Sequence, residues 1–94
     1  MTAPAIVAVL RTFLYSVLFS DNLSPEVPRT IAYFRSHWDD RLRDNLRALA
    51  GELEHPTVEA REIDELLLRF TETEIRIYLA AVVAGLADLQ DPVS

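Results

Sequence analysis

Hydrophobic positions are unevenly spread along this chain. Residues 5–19 (AIVAVLRTFLYSVLF) carry one charge, Arg11, and residues 75–87 (IRIYLAAVVAGLA) carry one, Arg76. Ile6, Val9, Leu10, Phe13, Leu14, Val17 and Leu18 follow the helical period and predict a first helix over about 4–20, with Pro4 in its first turn. Ala8, Thr12 and Ser16 recur at spacing four on its back, small enough to let a second helix approach.

Residues 21–28 (DNLSPEVP) predict the main connector. Asn22 is suited to the left-handed conformation that ends a helix, and Pro25 and Pro28 delay the next helix to about Val27. From there Ile31, Phe34, Trp38, Leu42, Leu46, Leu49 and Leu53 predict one long second helix over about 27–54. The sets 31/42/53 and 38/49 repeat every 11 residues, about 3.67 per turn, as in a nearly straight globular helix. Its opposite face is charged, and Arg35/Asp39 and Asp39/Arg43 fall at the i,i+4 spacing of surface ion pairs.

His55-Pro56 closes that helix. Thr57 reads as the N-cap of a third, over about 58–70, with Ile63, Leu66, Leu67 and Phe70 on one face. Thr71-Glu72-Thr73-Glu74 is a capping box flanked by a hydrophobic staple of Phe70 and Ile75. It starts a fourth helix over about 72–90, which Asp91-Pro92 would end, leaving the last four residues frayed. The expected fold is all-α, a four-helix antiparallel bundle forming a single helical domain over 1–94.

Helices apolar on nearly every side are normally buried on every side, and a chain of 94 residues has a large surface for its volume. The two apolar helices therefore predict a partner, most simply a second copy in a homo-oligomer. Residues that break their helical pattern suggest where it would sit. Tyr33 lies on the charged side of the second helix, Leu68 opposite the apolar face of the third, and Ile77 joins Ala80, Ala81 and Ala84 on the back of the fourth. With Ala8, Thr12 and Ser16, these are the candidate interface residues.

Composition narrows the chemistry. All nine basic residues are Arg, which removes Schiff-base and phosphate-loop lysines. Two glycines and no cysteine exclude Gly-rich phosphate loops, disulfides and thiolate sites, and fit a cytoplasmic protein. A net charge of −6 disfavours nucleic acid and makes a basic protein the natural charged partner. Residues 5–19 are too short and too interrupted by Arg11 for a membrane span. Arg11 lies inside the run and not before it, as a signal peptide would require.

Glu52-x-x-His55 has the spacing of a di-iron ligand pair, and His37 with Asp40 that of a metal or acid–base pair. His55 at a helix C-terminus and His37 on a charged face are explained without either role. The helix–corner–helix over 58–90 opens its second helix with Glu72 and Glu74, which phosphates would repel. Ser24, between Leu23 and Pro25, lacks the preceding Asp that marks acyl carrier proteins. Ile63-Asp64-Glu65-Leu66-Leu67 is similar to a stretch of the small all-α chorismate mutases, which clamp their dicarboxylate with Arg and Lys, and this chain has no Lys.

No catalytic, cofactor-binding or metal residue is assigned. The expected function is non-catalytic: a small protein acting through protein–protein interaction, homo-oligomeric, regulatory or adaptor-like, with an acidic outer face over 39–65. The alternative is a helical bundle binding a small hydrophobic ligand among Phe13, Tyr15, Trp38 and Tyr78.

Overall fold

Four α-helices carry the described residues of the computed structural model, 5–90, and no strand occurs among them. They are α1 (Ile6–Leu14), α2 (Glu26–Ser36), α3 (Asp40–Glu54) and α4 (Glu72–Gln90). Three 3₁₀ turns, at Tyr15–Val17, Ala60–Ile63 and Glu65–Arg69, complete the chain. Pro4, Asp91 and Pro92, read as helix punctuation, lie outside the described residues.

Helix α4 matches the expectation at its start, and the capping box explains why. The Thr71 hydroxyl accepts from the Glu74 amide at 3.0 Å, and the Glu74 carboxylate accepts from the Thr71 amide at 2.9 Å. The staple partners Phe70 and Ile75 are both buried. Packed against α4 are α2 and α3, with α1 lying on α3 and the turn Ala60–Ile63.

Three predicted helices are corrected. The first ends at Leu14 and tightens into a 3₁₀ turn. Arg69 donates to the carbonyls of Val17 and Ser20 there, and to that of Leu66 at 3.0 Å. Asn22 is not left-handed, since no non-glycine residue has positive φ among the described residues. Its side chain instead accepts from the Ser24 amide at 3.3 Å.

The long second helix is two. Helix α2 stops because Ser36 donates to the Ala32 and Tyr33 carbonyls, both at 3.1 Å, and His37 Nδ1–H donates to the Tyr33 carbonyl at 2.8 Å. These are the orphan carbonyls of a helix end. Asp39 then restarts the chain as the N-cap of α3, accepting from the Leu42 amide at 2.8 Å. The expected Arg35/Asp39 and Asp39/Arg43 pairs do not form: Arg35 meets Asp88 at 2.7 Å, and Arg43 meets Asp40 at 3.5 Å.

The third predicted helix is absent, replaced by two 3₁₀ turns separated by an extended Asp64. Thr57 does not cap it. The Thr57 amide and hydroxyl both donate to Glu52 at 2.7 Å, and the Val58 amide does so at 3.1 Å. Glu72 accepts from the Ala60 and Arg61 amides at 2.9 Å and pairs with Arg76 at 2.8 Å. Arg76 reaches on to the Val58 carbonyl at 2.8 Å. Two carboxylates thus take amides that an α-helix would leave for its own first turn. Within this linker Leu67 is buried, while Leu66, expected on the same inner face, is exposed.

Each apolar helix buries one face inside a single chain: Val9, Leu10, Phe13 and Leu14 of α1, and Ile75, Tyr78, Leu79, Val82 and Leu86 of α4. Among the described residues the large apolar side chains that stay exposed are Val7, Tyr15, Phe19, Tyr33, Leu66, Leu68 and Ile77. Helices α2 and α4 run in the same direction, since Thr30 meets Tyr78 and Arg35 meets Asp88. Their contact is close enough that a Cβ on Gly85 would sit 2.9 Å from Ile31 Cγ1.

A candidate docking groove along the first helix

Aromatic side chains climb from the core to the surface between α1 and α2. Buried Phe13 contacts Phe34 with ring centroids 4.8 Å apart, and Phe34 meets the edge of Tyr33 at 5.3 Å. Tyr33 in turn stacks on His37 at 4.4 Å, and the His37 ring is fixed by its bond to the Tyr33 carbonyl. Tyr33 is therefore held on two sides and still 58% exposed. Side chains fixed before binding lose less entropy when a partner arrives.

Beside it lies a hollow of about 610 Å³ lined by Arg11, Thr12, Tyr15, Ser16, Tyr33 and Phe34. Thr12 also lines two neighbouring hollows. One, of about 220 Å³, extends over His37, Asp39, Arg41 and Leu42; the other, of about 230 Å³, over Ala8, Val9, Asp44 and Asn45. The three hollows adjoin at Thr12, and we take them together as one groove, with Ala8 lining one end and Ser16 the other. Thr12 satisfies its own hydroxyl on the Ala8 carbonyl at 3.0 Å.

A buried polar set braces this face. The Thr30 and Tyr78 hydroxyls are 2.7 Å apart, Tyr78 donates to the Phe13 carbonyl at 3.3 Å, and Ser16 lies 3.4 Å from Thr30. Burial pushes the Tyr78 hydroxyl above its ordinary pKa, against the opposing pull of the Thr30 and Ser16 contacts. α1's C-terminal turn, α2 and α4 meet at these three side chains.

The candidate interface residues fall into three separate places. Ala8, Thr12, Ser16 and Tyr33 share the groove. Ile77, Ala80 and Ala84 are exposed on α4 with Ala81 half-buried, and Ile77 and Ala81 line a different hollow of about 290 Å³ with Leu23 and Val27. Leu68 stands alone on the linker at 49% exposure. The pattern reading missed His37 and Arg41 as part of the groove. Their signal was the Ser-His-Trp-Asp-Asp break that folds α3 back beside α1.

The four aromatics expected to share a ligand cavity do not converge. Phe13 and Tyr78 are core residues, Trp38 is half-buried and Tyr15 is 71% exposed. Neither histidine pair forms a site: Glu52 is turned to Thr57 and Val58, and Asp40 to Arg43. No cluster of three or more His, Asp or Glu suited to a metal occurs among the described residues, and no helix there is long and apolar enough to cross a membrane.

Charge around the groove is distinctive. Among the described residues Arg29, Arg35, Arg43 and Arg76 sit in ion pairs, and Arg61 and Arg69 donate to carbonyls. Arg11, Arg41 and Arg47 have no carboxylate within 4.0 Å among the described residues. Two of those three line the groove. Comparison with protein-family models, with curated proteins and with solved structures finds no match for this chain.

Proposed function

We propose that the protein is a non-catalytic interaction module, an adaptor or regulator that docks an apolar segment of a partner protein in the groove between α1 and α2. The observation that carries this reading is Tyr33, fixed by His37 and Phe34 and still exposed beside a hollow that Thr12 and Ser16 line. Rigid aromatic anchors next to a recess are what the energetic centres of protein interfaces are made of.

Selection of 12-residue peptides displayed on phage, followed by backbone amide shift mapping, tests it. Enriched peptides should perturb Thr12, Ser16 and Tyr33, and binding should vanish in Thr12→Trp, which fills the groove. Peptides that map elsewhere, or no enrichment, overturn the reading.

The same proposal takes the chain as one domain over 1–94 working in the cytoplasm, its bundle antiparallel except for the parallel pair α2 and α4. Its acidic surface over 39–65 would meet basic groups of the partner outside the groove. Self-association is assigned to Ile77, Ala80 and Ala84 on α4. Ala84→Arg should then lower the mass measured by light scattering while helicity is kept; an unchanged mass removes α4 from any such contact.

A second reading rests on the groove's size. A volume of about 610 Å³ falls within the range of small-molecule sites. A hydrophobic ligand there would raise the melting temperature in proportion to ligand concentration.

A further inference from the structure

The occupant of the groove can be specified further, and this step rests on the docking reading above. We infer that the segment it takes is a short amphipathic helix that sets a carboxylate against Arg11.

The small-residue row supplies the shape. Ala8, Thr12 and Ser16 span nine residues of α1 and its 3₁₀ turn, eight steps or about 12 Å along the axis. That matches two turns of a guest helix, and small side chains let two helix backbones approach closely. Tyr15 and Tyr33 wall the wide end, both more exposed than buried at 71% and 58%.

Charge supplies the chemistry. In the wide hollow Arg11 is the one charged lining residue, exposed and without a carboxylate within 4.0 Å among the described residues. Asp64 meets Arg11 only across a separate hollow of about 240 Å³, whereas at the narrow end Asp39 and Asp44 line the groove itself around Arg41. A guest acid is therefore wanted at the Ser16 end and not at the Ala8 end. In a chain of net charge −6, a cation left open among tyrosines selects its partner locally, within a screening length of about 8 Å.

A second copy does not fit this groove. Two grooves facing each other across a two-fold axis at Thr12 would bring Arg11 next to its own copy, and like charges oppose that pairing.

Three acetylated, amidated 12-residue helical peptides with one Leu/Ala face test the inference, carrying Glu, Gln or Lys at the position facing Arg11. Calorimetry at 50 mM and 500 mM salt should give the Glu peptide an advantage of about three- to tenfold over the Lys peptide at low salt, shrinking at high salt. In Arg11→Gln the preference should disappear while the melting temperature holds, because the Arg11 side chain makes no hydrogen bond or ion pair among the described residues. Equal affinity of all three peptides overturns the carboxylate and leaves the groove standing. Failure of all three to bind, with no shift at Tyr33, overturns the groove as well. A mass that doubles with concentration and is blocked by Thr12→Trp assigns the groove to a second copy and overturns the inference.

Discussion

The polar linker after α3 and the apolar first helix exchange the roles that their compositions suggest. Residues 55–71 are rich in charge, yet the linker is tied down by Glu52, which is only 5% exposed, and by Glu72. α1 and its turn are almost wholly apolar, yet this segment displays Tyr15 and leads into Phe19, 71% and 80% exposed. Charge here does structural work where it can accept several backbone amides at once, and aromatic rings stay outside where the core is already filled.

Removing the linker's central acceptor should have the largest effect. Glu52→Ala leaves the Thr57 and Val58 amides without their partner and should cost about 2–4 kcal/mol in urea unfolding. A loss below about 0.5 kcal/mol would mean that apolar contacts alone hold the linker, and the contrast with α1 would fail.

Acid probes the same residue. Burial pushes the Glu52 carboxyl up, but bonds from Thr57 and Val58 and the nearby Arg76 charge outweigh it and bring the pKa below its ordinary 4.5. A carboxyl depressed on folding contributes stability above pH 4.5, and that contribution drains away as pH falls through the lower folded value. Melting temperature should therefore drop between pH 5 and pH 3 more steeply in the wild type than in Glu52→Gln. Parallel curves would show that the carboxylate's charge plays no part.

Tyr78→Phe comes next, at about 1–2 kcal/mol, since it leaves the buried Thr30 hydroxyl only its 3.4 Å contact with Ser16. It separates the brace from the groove: stability should fall while peptide affinity changes little.

The two glycines should move in opposite directions. Gly51, exposed in α3 with nothing near a Cβ, should gain up to about 1 kcal/mol as Ala. Gly85→Ala presses on Ile31 and should lose stability despite the same propensity gain, with Ile31→Ala restoring it. If both glycines stabilise, α2 and α4 are free to shift apart.

The smallest effect belongs to the exposed face. Tyr33→Ala should change unfolding by less than about 0.5 kcal/mol, as surface substitutions do. A loss above 1 kcal/mol would make Tyr33 a structural residue and weaken its reading as an anchor.

The start of α4 was legible to the residue because its cap is local: Thr71 and Glu74 satisfy each other three positions apart, whatever surrounds them. The inward positions Phe34, Leu42, Leu46 and Leu49 were legible too, since burial follows period. The break at Ser36–Asp39 was not, because the 11-residue spacing of apolar residues runs straight through it. The spacing of Ile63, Leu66, Leu67 and Phe70 likewise suited an α-helix, until a carboxylate 11 and 12 residues away claimed the Ala60 and Arg61 amides.

Read alone, the chain determined its helical class, the cap of α4 and most of the side chains that must be buried, because propensity, local hydrogen bonds and hydrophobic period act within a few residues. Tertiary structure decided where α1 stops, that Glu52 is buried, and that Ala8, Thr12, Ser16 and Tyr33 lie along one groove. Those outcomes depend on which distant amides and carbonyls compete for each carboxylate and guanidinium, a competition settled only once the helices are packed.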